Sequence, residues 1–375
     1  MNKLSFRTYS ILSNNLGRTL SIQASQELIK KKYGRATYKN IYNTIQGLAD
    51  KNILKIERIG RSSITHLNFD NLAILDFLSE MELIKKRRLL EKRQELQLLL
   101  FEMENYFSQG FYFIESISII KPERNFKLNK AEFLFILKEP FSTATGNNWG
   151  AKEDREQRIE NEIKSIYSIM KLLQGIHNIK LDFLILREEK EFFELLKEQE
   201  KNALKEMLSD KTTFYSPQDF WISIKRALNQ GINIRAEKEL KLNKISEKDL
   251  FYNLNRFGYS EFGEQLRPGI TISIESTIAA ILLQDDARRK EAIPIILSKA
   301  FDNKSKRQPN YNLLIFLCNK YGKLPELFGL LKAFNKIKPL KETEKAINLI
   351  KQLDIKEKKA DLKSLKEKMR LYNAI

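Results

Sequence analysis

Ile53-Leu54-Lys55-Ile56-Glu57-Arg58-Ile59 is followed at once by Gly60-Arg61-Ser62-Ser63, and then by Ile64-Thr65-His66-Leu67-Asn68-Phe69. Apolar and polar residues alternate on both sides of a glycine-containing turn, the pattern of two antiparallel strands with one face buried. Arg58 and Arg61 put positive charge at the tip, and Ser62 adds a hydroxyl. Before the hairpin, Asn52 ends a helix expected from about Thr37 to Lys51, whose Ile41, Ile45 and Leu48 recur at spacings of four and three. Gly34 separates that helix from an earlier one opened by Ser21-Ile22-Gln23-Ala24, and a first helix is expected over Phe6–Asn15.

The other side of the third helix carries Tyr38, Lys39, Tyr42, Asn43 and Gln46, with Arg35 and Thr37 just before it. These are donors and acceptors of the lengths that reach phosphates and base edges. Three helices followed by a hairpin with a basic tip, over residues 1–70, predict a winged helix-turn-helix domain. The phrase running from Leu48 through Asn52 to Arg61 resembles the passage from helix end to wing in archaeal and bacterial winged-helix regulators. The resemblance implies double-stranded DNA as the partner, with the third helix in the major groove and the wing tip on phosphate or in the minor groove. The DNA-binding set is then Arg35, Thr37, Tyr38, Lys39, Tyr42, Asn43, Gln46, Arg58, Arg61 and Ser62. Two alternatives stay open: Tyr38 and Tyr42 pack on the first helix, or the domain contacts protein.

The composition bounds the rest. At roughly 100–200 residues per domain, 375 residues predict several domains. Sixty-six Lys and Arg against 48 Asp and Glu leave a net charge of +18. That surplus points to a polyanion, either nucleic acid or an anionic membrane surface, unless it only reflects a Lys-, Asn- and Ile-rich composition. The single cysteine, Cys318, excludes an intramolecular disulfide and a cysteine-based metal cluster, and two histidines, His66 and His177, are too few for a His-rich site. No apolar run approaches the roughly 18–20 residues that span a bilayer, and the first residues lack a signal-peptide apolar block. A cytoplasmic protein without a membrane partner is expected.

Residues 71–108 read as a connecting helix. Ile74, Phe77, Met81 and Ile84 form an apolar stripe, and Leu89, Leu90, Leu96, Leu99 and Leu100 resume it. Such a helix packs on its own domain or pairs with a second copy, so a homodimer is expected. The run Lys85-Lys86-Arg87-Arg88 reads as a solvated face.

Residues 109–230 alternate strands with helices: strands at Ile117–Ile120, Glu132–Leu137 and Leu181–Leu186, a helix through Ile159, Ile163, Ile166, Ile169 and Leu173, another over Glu189–Leu208, and an extended piece at Thr213-Phe214-Tyr215. Leu181–Leu186 with the following Arg187–Lys197, and Leu208–Tyr215, resemble the third and last strands of the minimal nucleotidyltransferases of the DNA polymerase beta superfamily. The resemblance implies a Gly-Ser loop for triphosphate, two acids one residue apart on the next strand, and a third acid on a later strand, together holding two metal ions. Here the loop position reads Lys121-Pro122, which adds a side chain and removes an amide. The paired-acid position reads Glu132-Phe133-Leu134, and leucine cannot coordinate a hard cation. Asp182 stands at the third-acid position. Glu132 and Asp182 are the catalytic candidates if the domain is active, with magnesium as its cofactor; the expected state is inactive, with no metal. Thr143–Gly150 fits no phosphate loop and reads as a loop exposing Trp149.

Residues 240–375 read as a helical domain, with helices at Ser276–Leu283, Ala287–Ala300, Tyr311–Tyr321 and Pro325–Phe334 and an amphipathic Lys-rich end at Lys341–Lys368. Cys318 is expected buried and inert, and Asp285-Asp286 with Arg288-Arg289 is expected to be salt-bridged. Minimal nucleotidyltransferases often work with helical ribonuclease toxins that need an Arg–His pair, and no histidine follows His177. The expected fold class is multidomain α+β: winged helix, long connecting helix, small mixed-sheet nucleotidyltransferase-like domain and helical domain. The expected function is a DNA-binding transcriptional regulator whose degenerate middle domain serves sensing or protein interaction. The alternatives are an active divergent nucleotidyltransferase acting on protein or RNA, and an antitoxin-like interaction protein.

Overall fold

Asn2 caps the first helix by accepting hydrogen bonds from Leu4 N and Ser5 N at 3.1 and 2.8 Å. In the computed structural model, which describes residues 2–110, 113–138, 151–187, 189–260, 268–302 and 308–375, that helix is α1 (Lys3–Ser13). A two-residue strand β1 (Leu20–Ser21), α2 (Ile22–Tyr33) and α3 (Tyr38–Asp50) follow. Next come β2 (Leu54–Ile59) and β3 (Ser62–Leu67). β2 and β3 pair antiparallel around the two-residue loop Gly60-Arg61, and Gly60 takes the positive φ (60°) such a loop favours at its first position. β1 adds to the far edge of β3, giving the order β1-β3-β2.

The region expected to be one connecting helix forms two, α4 (Ala73–Lys92) and α5 (Gln94–Gly110), broken at Arg93, whose φ of −145° is not helical. α4 uses its apolar stripe within the chain. Ile74, Leu78 and Met81 are fully buried, and Phe77 stacks on Tyr9 of α1 at 5.8 Å.

A second sheet takes β4 (Ile114–Ile120), β5 (Lys130–Leu137), β6 (Lys180–Leu186) and β7 (Lys211–Tyr215) in the order β6-β5-β4-β7. Only the β5–β6 pair is parallel, as a crossover through the long α7 (Ala151–His177) requires. Between β4 and β5 stands the short α6 (Pro122–Asn125). α8 (Glu189–Lys197) and α9 (Ala203–Leu208) lie between β6 and β7, and α10 (Pro217–Asn229) follows the sheet. The helix expected over Glu189–Leu208 is thus two, the second capped by Asn202 Oδ1, which accepts from Lys205 N at 3.0 Å.

Alternation along the strands gives the sheet two unlike faces. Phe133 and Phe135 of β5 and Phe183 of β6 make one, where Phe107 of α5 meets Phe135 edge-on at 5.4 Å and Tyr167 of α7 meets Phe183 at 4.8 Å. The other face carries Glu132, Leu134, Asp182 and Leu184. The helices after it are α11 (Glu247–Arg256), α12 (Ile274–Gln284), α13 (Ala287–Lys290), α14 (Ala292–Asp302), α15 (Tyr311–Lys320), α16 (Leu324–Ile337), α17 (Lys341–Gln352) and α18 (Leu362–Leu371). α15 brings Asn319 and Lys320 onto Asp182 and Glu132.

The chain is mixed α and β, with small sheets and a large helical share. Its buried apolar residues run as one continuous cluster from Phe6 to Ala374. Among the described residues no helix is long and apolar enough to cross a membrane.

Candidate functional sites

Two places collect the residues singled out in the sequence. The first is the outer side of α3 with the β2–β3 tip. Ile41, Ile45 and Leu48 turn inward and are buried. The opposite side therefore faces out: Tyr38, Lys39, Tyr42 and Asn43 are exposed and Gln46 is half-buried. Tyr38 and Tyr42, one turn apart, stack on each other with ring centroids 6.1 Å apart. Thr37 precedes the helix in an extended conformation with its side chain making no cap bond, so the first amides of α3 have no side-chain acceptor there. Arg35, Arg58, Arg61 and Ser62 are exposed. Among the described residues, none of Arg35, Lys39, Asn43, Gln46, Arg58, Arg61 or Ser62 has a side-chain hydrogen bond or ion pair. Lys30, Lys31 and Lys32, at the end of α2, add three exposed charges beside this face. The sequence reading had not singled them out, although three lysines in one helix turn before Gly34 are a plain signal.

The second place is the polar spot on the β4–β7 sheet. Glu132 and Asp182 are register partners across the parallel pair β5–β6, so both carboxylates emerge side by side on one face. Both are buried. Glu132 takes Lys130 Nζ at 3.0 Å and Lys320 Nζ at 2.9 Å, one on each oxygen. Asp182 accepts from Asn319 Nδ2 at 2.9 Å and lies 3.4 Å from Lys180 Nζ. Burial alone would raise the Glu132 carboxyl, but the two ammoniums outweigh it and hold it below the usual carboxylate range. Asp182 goes the other way: burial raises it, the neighbouring Glu132 adds to the rise, and its Oδ2 has no partner.

Lys320 ties the pair to a wider cluster. Its Nζ lies 3.5 Å from Glu239, which also meets Lys121 at 3.0 Å and Arg124 at 2.5 Å. Despite burial, these cations depress Glu239 to about 2. Glu206, on the rim of the same spot, is pushed up to about 7 by burial.

The features a triphosphate site needs are occupied. The Lys121 amide donates to the Asp210 carbonyl at 2.9 Å, and Pro122 has no amide to give. Leu134 is buried next along the Glu132 face. The space bounded by Lys121, Glu132, Glu206 and Lys320 is about 10 Å³, the room one water needs. Among the described residues no group of three His, Cys, Asp or Glu side chains converges on a metal position.

Of the basic run on α4, Lys85 pairs with Glu82, Lys86 with Glu104, and Arg88 lies over the Phe6 ring at 4.0 Å, so three of its four charges are engaged within the chain. His66 sits half-buried on β3, 3.7 Å from Glu57. Cys318 is fully buried, and burial raises its thiol pKa. Asp285 pairs with Lys290, and Asp286 with Arg289 at 3.6 Å. Thr143–Gly150, with Trp149, lies outside the described residues. No protein-family model matches the chain, and neither the curated proteins nor the solved structures give a match.

Proposed function

We propose that this chain is a DNA-binding transcriptional regulator with a winged helix-turn-helix over residues 1–70 and a catalytically silent, nucleotidyltransferase-like sheet behind it. The observation that carries the reading is the outer side of α3. It presents Lys39, Asn43 and Gln46 with no partner among the described residues, flanked by Lys30–Lys32, Arg35 and the arginines of the hairpin tip. In this reading α3 enters the major groove with Asn43 and Gln46 at base edges. Lys39, Arg35 and Thr37 meet phosphate, Tyr38 and Tyr42 pack along the backbone, and Arg58, Arg61 and Ser62 hold the adjoining strand.

The enzyme reading is the weaker one. A nucleotidyl transfer needs carboxylates free for two metal ions and amides free for phosphate. Here Lys130 and Lys320 hold Glu132, and the Lys121 amide is bound to Asp210. A chain that carries no magnesium and serves as a platform fits that arrangement better. A protein-contact role has one observation of its own. Leu98 and Phe101 on α5 and Leu172 and Ile176 on α7 are at least half exposed, near the joint where His177 meets Glu102 at 2.8 Å. A homodimer through this face would give two copies of α3.

Selection of duplexes from a random pool by the full chain tests the proposal. Enrichment of one sequence is expected, and two inverted half-sites about 10 base pairs apart would report the dimer. No enrichment and no binding at low salt would overturn it. Label passed from a nucleoside triphosphate to the protein or to RNA would overturn the silent-sheet half.

A further inference from the structure

The turn after α1 meets the segment after α10 at close range. A Cβ on Gly17 would stand 1.7 Å from the Ile234 carbonyl oxygen, so only glycine allows this approach. Two hydrogen bonds clamp it: Ala236 N donates to the Leu16 carbonyl at 2.9 Å, and Arg18 Nε donates to the Ala236 carbonyl at 2.8 Å. Beside the clamp, between this segment and strand β3, lies a cleft of about 180 Å³.

Its walls are mostly apolar, with Leu16, Leu67, Phe69 and Ile234 among them. An apolar cavity of about 150 Å³ takes up benzene, so this one has the size for a single six-membered ring with one substituent. Its polar lining includes one arginine. Arg18 lines the cleft and is half-buried, and with its Nε fixed on Ala236 its two terminal nitrogens pair with no described residue. A guanidinium held by one nitrogen and open at the others suits a carboxylate. The net charge of +18 favours an anion here as well.

We propose that this cleft binds a small aromatic carboxylate, with its ring between β3 and residues 232–236 and its carboxylate on Arg18. One wall is the strand that ends the hairpin and the other belongs to the body of the chain, so the ligand ties the two together. The inference concerns the free protein and stands apart from whether the chain binds DNA.

Calorimetric titration of the full chain with benzoate, and with benzamide as the neutral isostere, tests it. Saturable one-to-one binding of benzoate is expected, with benzamide weaker by about tenfold or more, the worth of a charge-assisted contact. Arg18→Gln should erase the preference for benzoate over benzamide. Leu228→Trp, which fills the cleft from α10, should abolish both. Benzoate should also slow amide hydrogen exchange in residues 62–69. The proposal is overturned if wild type shows no saturable benzoate binding, if benzamide binds as well as benzoate, or if Leu228→Trp binds benzoate like wild type.

Discussion

The outer side of α3 and the Glu132–Asp182 pair are both dense in polar side chains, and they are opposites. On α3 the groups point outward, and among the described residues Lys39, Asn43 and Gln46 have no partner. On the sheet, both oxygens of Glu132 are taken by lysines and a single oxygen, Asp182 Oδ2, is left over. A polar cluster can act on another molecule only with groups its own chain has not already satisfied. Counting acids on a strand would have favoured the sheet as the working site. Following each hydrogen bond to its end favours α3. Lys320 is the residue that makes the difference, because its ammonium sits on the Glu132 oxygen that a divalent cation would need.

The largest effect is expected at Lys320. Lys320→Met removes one partner of a buried pair and leaves Glu132 with only Lys130, whose side chain is more exposed. Breaking a buried ion pair from one side costs about 3–5 kcal/mol. Urea denaturation should show that loss as a lower midpoint at unchanged slope. Replacing Glu132 by Leu in the same chain should restore most of it, because an apolar pair of similar size removes the stranded charge. If Lys320→Met is as stable as wild type, the carboxylates tolerate being open, and the sheet regains its claim as a metal site.

Acids that no lysine hydrogen-bonds behave differently with pH. Glu115 on β4 is buried with Ser223 Oγ at 2.5 Å and, among the described residues, no bonded cation, and burial pushes it up to about 7; Glu206 is raised to the same value. Their ordinary value is 4.5. Between pH 4.5 and 7 the unfolded chain has lost these protons while the folded chain keeps them, so stability falls as pH rises through that window. Glu239, depressed to about 2, acts oppositely: its contribution is present above 4.5 and disappears as pH falls toward 2. Stability should therefore peak near the ordinary carboxylate pKa and decline on both sides. Glu115→Gln should stabilise the protein by about 1–3 kcal/mol at pH 8 and have little effect at pH 4.5. A flat profile for wild type across pH 5–7 would refute this account of Glu115 and Glu206.

Much of this was legible in residues 53–69 and in the spacing of Ile41, Ile45 and Leu48, because a strand's period of two and a helix's of 3.6 sort side chains by face without tertiary information. Glu132 and Asp182 were legible as single acids. Their adjacency was not, since it depends on the β5–β6 register. Lys130 and Lys180 each stand two residues before an acid on the same strand, so they could have been read as partners. Lys320 could not, because only the packing of α15 on the sheet brings it there. Helix ends were the least legible. Arg93 breaks the α4–α5 region with neither proline nor glycine beside it, whereas Asn202, a good N-cap, was a usable sign that 189–208 is two helices. The basic run at 85–88 reads as solvated surface because two of its partners, Glu104 and Phe6, come from other helices; only Glu82, three residues before Lys85, was within reach of the sequence.

The smallest effect on the fold should come from the α3 side, and that is its diagnostic value. Lys39, Asn43 and Arg61 are exposed and have no hydrogen-bond or ion-pair partner among the described residues, so changing each to alanine removes no such bond. Surface changes of this kind stay within about 0.5 kcal/mol of wild type. Binding to duplex DNA should respond differently from stability. A lost phosphate contact no longer releases its counterions, so Lys39→Ala and Arg61→Ala should each lower affinity on every sequence and flatten the salt dependence by about one unit of slope. Asn43→Ala should leave the slope alone and relax the preference at one base position, because an amide reads a base edge and neutralises no phosphate. Filter binding at four or five salt concentrations separates the two behaviours. If all three variants bind duplex DNA as wild type does, with the same slope, α3 is not the DNA-binding face, and its unsatisfied groups answer to some other partner.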